Sequence, residues 1–267
     1  MAHRMEQNPE RGRYMKVLWL KKKTLLFGVG AILAVAILSA VQIPPAVTTT
    51  AATTRQLPIY CVERSDNLVA ISFDAAWGNE DTEQLISILE QYGVKTTFFV
   101  VGSWVEKYPE SVKALADAGH EVMNHSNNHA HYNSLTTEQI IADVNACNDK
   151  IEAVTGVRPT LIRCPYGEYD DHVIAAIRSI GMEPIQWDVD SLDWKDLSAE
   201  EITQRVVGKA TSGSICLFHN AALHTPEALP SVLEQLQAGG FTVVPISQII
   251  LDCEYTIDHT GRQCAVQ

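Results

Sequence analysis

Two imidazoles stand four residues apart in Asn124-His125-Ser126-Asn127-Asn128-His129, directly after apolar Val122 and Met123. In a helical turn that spacing puts both rings on one side, where neutral nitrogens can share a divalent cation. Two histidines alone fit a polar surface loop equally well, so the decision rests on what else the chain offers. Polar residues able to do chemistry recur where apolar runs end. Asp74 follows Leu68–Phe73, and Arg163 leads into Pro165-Tyr166-Gly167. Asp190 and Asp193 follow the run ending at Trp187, and His219 closes Ile215-Cys216-Leu217-Phe218. A metal on His125 and His129 can polarise a carbonyl and acidify a bound water. A carboxylate such as Asp74 can take that water's proton, and a histidine across the cleft can protonate a leaving group. Together these describe metal-assisted hydrolysis of an amide or ester. Glycoside hydrolysis by Asp74 paired with Asp190 or Asp193 is the rival, and it leaves the two histidines without a task. A serine hydrolase is weaker, because no G-x-S-x-G occurs.

These residues need a frame that brings the ends of successive apolar runs together. From Asn67 onward, short apolar runs alternate with amphipathic segments. The spacing predicts strands at Leu68–Phe73, Lys95–Val101, Glu121–Met123, Thr160–Arg163, Pro184–Trp187, Ser214–Phe218 and Phe241–Val244. Between them it predicts helices over Asp81–Tyr92, Pro109–Gly119, Asp171–Ile180 and Pro226–Gln237, with capping-box starts at Thr136-Thr137-Glu138-Gln139 and Ser198-Ala199-Glu200-Glu201. About seven β-then-α units imply a parallel sheet with helical crossovers. A barrel related to the eight-fold one, about a strand short, fits better than an open doubly wound sheet, and no G-x-G-x-x-G follows the first strand. In such a barrel all the strand ends named above open onto one face, where these folds build their sites.

On those residues the chain resembles the polysaccharide deacetylases of carbohydrate esterase family 4, the NodB-homology domain, from about Asn67 to Ile250. Ser72-Phe73-Asp74 is similar to a first motif whose leading aspartate is the general base. His125-Ser126-Asn127-Asn128-His129 matches a second that supplies two metal ligands, with Ser126 bracing the loop. Arg163-Cys164-Pro165-Tyr166-Gly167 matches a third, in which the arginine holds the catalytic aspartate and the backbone at Tyr166 helps bind the oxyanion. Asp190-Ser191-Leu192-Asp193-Trp194 is similar to a fourth, with an aspartate tuning the catalytic histidine and the tryptophan walling the pocket. Leu217-Phe218-His219 matches a fifth, with Leu217 lining the acetyl pocket and His219 as general acid. Glu168 and Tyr169 are further candidates to touch substrate, while His120, His131 and His224 read as surface or edge histidines.

What the resemblance implies is a distorted (β/α)7-8 barrel of the NodB-homology type and a metal-dependent N-deacetylase of cell-wall amino sugars, peptidoglycan first and chitin-like or xylan polymers second. Its cofactor would be a divalent metal, zinc by preference, with cobalt or manganese as alternatives. Two departures matter: Cys164 stands where many members have Pro, which alters only loop stiffness, and the more serious one is at Ala75. Ala75 stands where the common motif has a second aspartate as third metal ligand, and Ala75-Ala76-Trp77-Gly78 resembles instead a sporulation-type or clostridial branch. The nearest carboxylates, Glu80 and Asp81, are the expected replacements. If nothing replaces it, the alternative is a glycan-binding pseudoenzyme.

Charge and hydropathy set the rest. Residues 1–23 hold seven Lys/Arg against two Asp/Glu, which leaves −17 on the other 244 within a whole-chain charge of −12. So acidic a body argues against nucleic acid as a partner. Thr24 to Val41 is uncharged and long enough to span a bilayer, and the basic flank before it predicts an uncleaved anchor with the remainder exported. A cleaved signal peptide is the competing reading. The expected organisation is a cytoplasmic tail (1–23), an anchor (24–43), a tether and entry segment (44–66), the catalytic domain (67–250) and a C-terminal tail (251–267), at the cell membrane with the catalytic domain outside. Of six cysteines, Cys253 and Cys264 bracket a polar turn and could be bridged, whereas Cys216 reads as a buried small hydrophobe.

Overall fold

The computed structural model describes residues 55–266. The predicted basic tail, the anchor and most of the tether lie outside the described residues, and among the described residues no helix is long and apolar enough to cross a membrane. In chain order the elements are β1 (Cys61–Val62), β2 (Leu68–Ala75), α1 (Thr82–Gln91), β3 (Thr97–Val100), α2 (Gly102–Lys107), α3 (Pro109–Asp117), β4 (Glu121–Asn124), α4 (Thr137–Thr155), β5 (Leu161–Ile162), α5 (Asp171–Ser179), β6 (Glu183–Pro184), β7 (Val189–Asp190), α6 (Ala199–Val207), β8 (Ile215–His219), α7 (Thr225–Ala238), β9 (Thr242–Val244), α8 (Ile246–Ile249), β10 (Tyr255–Ile257) and β11 (Arg262–Ala265).

The main sheet is parallel and runs β6-β5-β4-β3-β2-β8-β7, with β9 added to β2. It is curled, and β6 and β7 are not hydrogen-bonded to each other, so the ladder does not close around the ring. The expected strand at Pro184–Trp187 becomes two short ones, with Ile185, Gln186, Trp187 and Asp188 between them. The backbone bond from Gln186 N to Ile59 O and the Ile59–Ile185 bridge patch the seam from the entry segment.

Side-chain alternation along β2 separates two apolar layers. Ile71, Phe73 and Ala75 pack with Leu85, Leu89 and Val232 under the helices. Ala70 instead joins Phe99, Met123, Leu161 and Ile215 inside the curl, on the parity that also aims Asp74 inward. Ala75 thus belongs to the helix-side layer.

Both predicted capping boxes are present. Thr136 Oγ1 accepts from Gln139 N while Thr136 N donates to Gln139 Oε1, and Ser198 pairs with Glu201 in the same way. A small sheet β1-β11-β10, not anticipated from the sequence, ties the entry segment to the C-terminal residues. All six cysteines are free. The expected Cys253–Cys264 bridge is absent because the β10–β11 register places Thr256, not Cys253, opposite Cys264.

Candidate active site

Asp74 ends the central strand, and its two neighbours in the ladder decide what surrounds it. In register, Asp74 lies opposite Phe99 of β3 and His219 of β8, and Asp190 of β7 lies opposite Leu217. Parallel partners present their side chains on the same face, so a carboxylate and an imidazole that are 145 residues apart in the chain become neighbours at one pole. Asp74, His125, His129, Tyr166, Asp190, Trp194, Leu217 and His219 line a single cavity of about 450 Å³ there, together with Trp77, Gly167 and Trp187.

Asp74 is buried, and Arg163 Nη1 donates to its Oδ1 at 2.8 Å. Burial pushes the Asp74 carboxyl up, but the Arg163 guanidinium and the charges of His125 and His219 outweigh it, so the group is held below the usual carboxylate range. Arg163 has no exposed surface at all. Its Nη2 donates to Gln186 O at 3.1 Å, and its plane lies 4.3 Å from the ring of Phe99, so the cation is fixed by a carbonyl and an aromatic face as well as by its anion. Arg163 makes its ion pair with Asp74 and none with Asp190 or Asp193. Asp190 Oδ1 instead accepts from Leu192 N, which shapes the next turn.

Asp193 is the aspartate that governs His219. Its Oδ1 accepts from His219 Nδ1 at 2.8 Å and from Trp194 N at 2.9 Å. Its Oδ2 accepts from His219 N at 2.8 Å and from Thr225 Oγ1 at 2.6 Å. Burial pulls the His219 imidazole down, but the bond and charge of Asp193 outweigh it, and the ring is held protonated above its ordinary range. With Nδ1 engaged, Nε2 is the nitrogen left for the cavity.

The two histidines of the metal motif do not sit on a helix, contrary to the helical-turn expectation. They lie in a loop after β4, where Ser126 (φ 70°) and His129 (φ 56°) both adopt left-handed backbone. Ser126 Oγ accepts from His129 N at 2.8 Å, closing the turn so that the rings stand 4.9 Å apart. Gly102 and Ser103, at the start of α2, donate to the carbonyls of Ser126 and Asn127. A Cβ on Gly102 would come within 2.5 Å of Asn127 Oδ1 and 3.1 Å of its backbone, so this close approach requires glycine.

Left-handed non-glycine residues recur at Tyr166, which lines the cavity, and at Leu192 and Ala221, each within two residues of a lining side chain. Such backbone persists where the surroundings over-determine it, as at binding sites.

The scan against family models matches the chain to polysaccharide deacetylase over residues 62–185. The chain is 33% identical to the peptidoglycan-N-acetylmuramic acid deacetylase PdaC of Bacillus subtilis over 70% of this chain and 40% of that protein. It is 30% identical to a peptidoglycan-N-acetylglucosamine deacetylase of Bacillus cereus over 71% of this chain and 91% of that one. The chain belongs to the polysaccharide deacetylase family. Among solved structures, a pseudoenzyme of carbohydrate esterase family 4 from Bacillus anthracis superposes with a TM-score of 0.70 at 30% identity, over 78% of this chain and 73% of that one. The chain spans 60% and 40% of the length of the first curated relatives it matches.

Polysaccharide deacetylases of this family are generally metal-dependent, and the donor chemistry here suits a divalent metal in part. Burial pushes both imidazoles towards their neutral, ligating form, His129 to about 4. His125 Nδ1 is bonded to Arg163 O at 2.8 Å, which fixes the ring as an outer-sphere carbonyl does for a ligating histidine and turns Nε2 to within 3.5 Å of Asp74 Oδ2. The third donor expected from the sequence is not delivered by this geometry. Asp81 is buried with its Oδ2 accepting from Ala221 N at 2.8 Å, and Glu80 lines a separate depression. Among the described residues no group of three His, Cys, Asp or Glu is placed to hold a metal.

The site also contains residues that sequence reasoning passed over. His131, read as a surface histidine, stacks on Tyr166 at 4.2 Å with an interplanar angle of 9°, and Glu168 bonds His131 Nδ1 at 2.9 Å. Glu168 thus braces the rim through His131. Asp143 Oδ1 receives both Asn127 N and Tyr132 OH, pinning the histidine loop to α4. Spacing gave no signal for either, because both depend on contacts between loops and elements of the fold. Tyr169, the other substrate candidate, bonds Tyr60 instead.

Proposed function

We propose that this chain is a hydrolase that removes N-acetyl groups from the amino sugars of a cell-wall polysaccharide, with N-acetylglucosamine or N-acetylmuramic acid of peptidoglycan as the deacetylated residue. The observation that carries the reading is the pairing of Asp74 with His219 across β2 and β8, a base held anionic and an acid held protonated over one cavity. A glycan binder without turnover gains nothing from such a pair.

When bound by His125 and His129, a divalent metal, zinc by preference, supplies carbonyl polarisation and a more acidic water. The steps belong to the protein's own groups. Arg163 holds Asp74 Oδ1, which leaves Oδ2 to take a proton from the attacking water. The water oxygen bonds to the acetyl carbon, and the carbon–nitrogen bond breaks as His219 passes a proton from Nε2 to the departing nitrogen. Acetate and a free amino sugar result. Asp193 keeps the imidazolium oriented throughout, and Trp194, Tyr166 and Leu217 wall the cavity around the acetyl group.

We also place the domain outside the cytoplasmic membrane, tethered by residues 24–43. What supports this is the uncharged run and its basic flank. Membrane pelleting that survives high salt but is lost on deleting residues 1–43 is the expected result.

A second reading, a glycan-binding pseudoenzyme, draws on Ala75 and on the two-histidine donor set. Acetate release from peptidoglycan and from N-acetylated chitin oligomers separates the two. The full-length protein with added zinc should release acetate, and the chelated protein and His125→Ala should not. Tight oligomer binding without acetate under every metal condition would transfer the assignment to the binder.

A further inference from the structure

Trp77 has 62% of its surface exposed, yet its loop is firmly held. Trp104 Nε1 donates to Gly78 O at 2.9 Å, and Asn220 Nδ2 donates to the same carbonyl. Ala76 N donates to Asn220 Oδ1, Asn79 Nδ2 donates to Ser111 Oγ, and Ala221 N donates to Asp81 Oδ2. The indole ring is 5.4 Å from His129, so one side of Trp77 walls the catalytic cavity. Trp77 also lines a second depression of about 410 Å³, together with Glu80, Ser103, Trp104, Lys107 and Tyr108. A large apolar ring left in water on a pinned loop marks a contact surface, and an aromatic between two cavities is suited to a chain that crosses from one to the other.

We propose that this second depression is a glycan subsite. It would hold the sugar that neighbours the one being deacetylated, stacked by its C–H face on Trp77. Glu80 would accept from its hydroxyl or acetamide N–H groups, and Lys107 would donate to its oxygens. The inference rests on the polysaccharide-deacetylase reading above, because the occupant is the next residue of the same substrate. It also gives Glu80, which the fold keeps away from the histidines, a place on the substrate path. Asp81, the other expected ligand, holds the loop that presents Trp77.

The test compares N-acetylglucosamine, which fills the catalytic cavity alone, with the N-acetylated chitin hexamer, on the full-length zinc-loaded protein. Ser103→Trp fills the depression from an exposed position outside the catalytic cavity. It should lower kcat/KM for the hexamer roughly tenfold, about the worth of one aromatic contact, and leave the monosaccharide unchanged. Glu80→Gln with Lys107→Ala should act in the same direction. Calorimetric titration of the same two sugars gives a readout independent of turnover. If wild type releases no acetate but binds the hexamer more tightly than the monosaccharide, and Ser103→Trp removes that preference, the subsite stands while the deacetylase reading fails. Equal kcat/KM and equal affinity for monosaccharide and hexamer in wild type, or a length preference untouched by both sets of variants, would overturn the proposal.

Discussion

Replacing Asp193 by Asn perturbs the site without changing its volume. The carboxylate is fully buried and accepts four hydrogen bonds, two on each oxygen. An amide offers one acceptor oxygen, so either orientation turns an NH2 group towards two donors. The least costly resolution places the amide nitrogen against His219 Nδ1, which must then give up its proton and accept. The lost charge-assisted bond is worth about 1.5–3 kcal/mol, which at ~1.4 kcal/mol per pKa unit lowers the His219 pKa by about 1–2 units. Because Asp193 raises this pKa, the protonated acid persists above the ordinary imidazole range in wild type and is lost as pH rises through the folded value. In Asp193→Asn the alkaline limb of the acetate-release profile should therefore move to lower pH by about 1–2 units. General acid catalysis contributes ~10²–10⁴-fold, so at neutral pH a loss on the order of 10² in kcat is expected. The same protein should hydrolyse an aryl acetate almost normally, since a phenolate leaves without a proton. An unmoved alkaline limb, or equal losses on the amide and the aryl ester, would refute the assignment of His219 as acid and Asp193 as its orienting anion.

Three further outcomes follow from the same geometry. Asp74→Ala leaves Arg163 buried without its counter-ion and should cost about 3–5 kcal/mol in urea unfolding. Because the folded Asp74 pKa is depressed, its contribution in wild type is present above the ordinary carboxylate range and fades as pH falls through the folded value. His125→Ala and His129→Ala should each abolish stoichiometric zinc uptake by atomic absorption, whereas Glu80→Ala should leave it intact. Loss of zinc in the Glu80 variant would show that loop 76–81 moves to reach the histidines. His131→Ala removes the ring stacked on Tyr166, and a rise in KM of roughly threefold to tenfold with kcat unchanged is expected from an aromatic pair worth about 0.5–1.5 kcal/mol. A fall in kcat instead would place Tyr166 in the chemical step.

Much of this arrangement was legible in the sequence because it is local. Alternating runs and caps gave the β-then-α order, and Thr136 with Gln139 and Ser198 with Glu201 cap their helices as their spacing predicts. The rule that parallel strands open their C-terminal ends to one face was enough to gather Asp74, His125, Arg163, Asp193 and His219 at a single pole. Other features had no local signal. Which of Asp190 and Asp193 serves His219 depends on a left-handed residue at Leu192 that turns the second carboxylate back under β8. The histidine pair is set by a loop closed through Ser126 and buttressed by Gly102, not by helical spacing. Proximity in the chain suggested Glu80 and Asp81 as ligands, but a pinned loop turns one outward and engages the other with Ala221. The seam between β6 and β7 likewise depends on Ile59, which lies well before the first predicted strand. Residue types and periodicity determined the chemistry available and the order of the elements, because both follow from short-range properties of the chain. The tertiary structure alone decided which groups pair, because hydrogen bonds and charges act across distances that sequence separation does not measure.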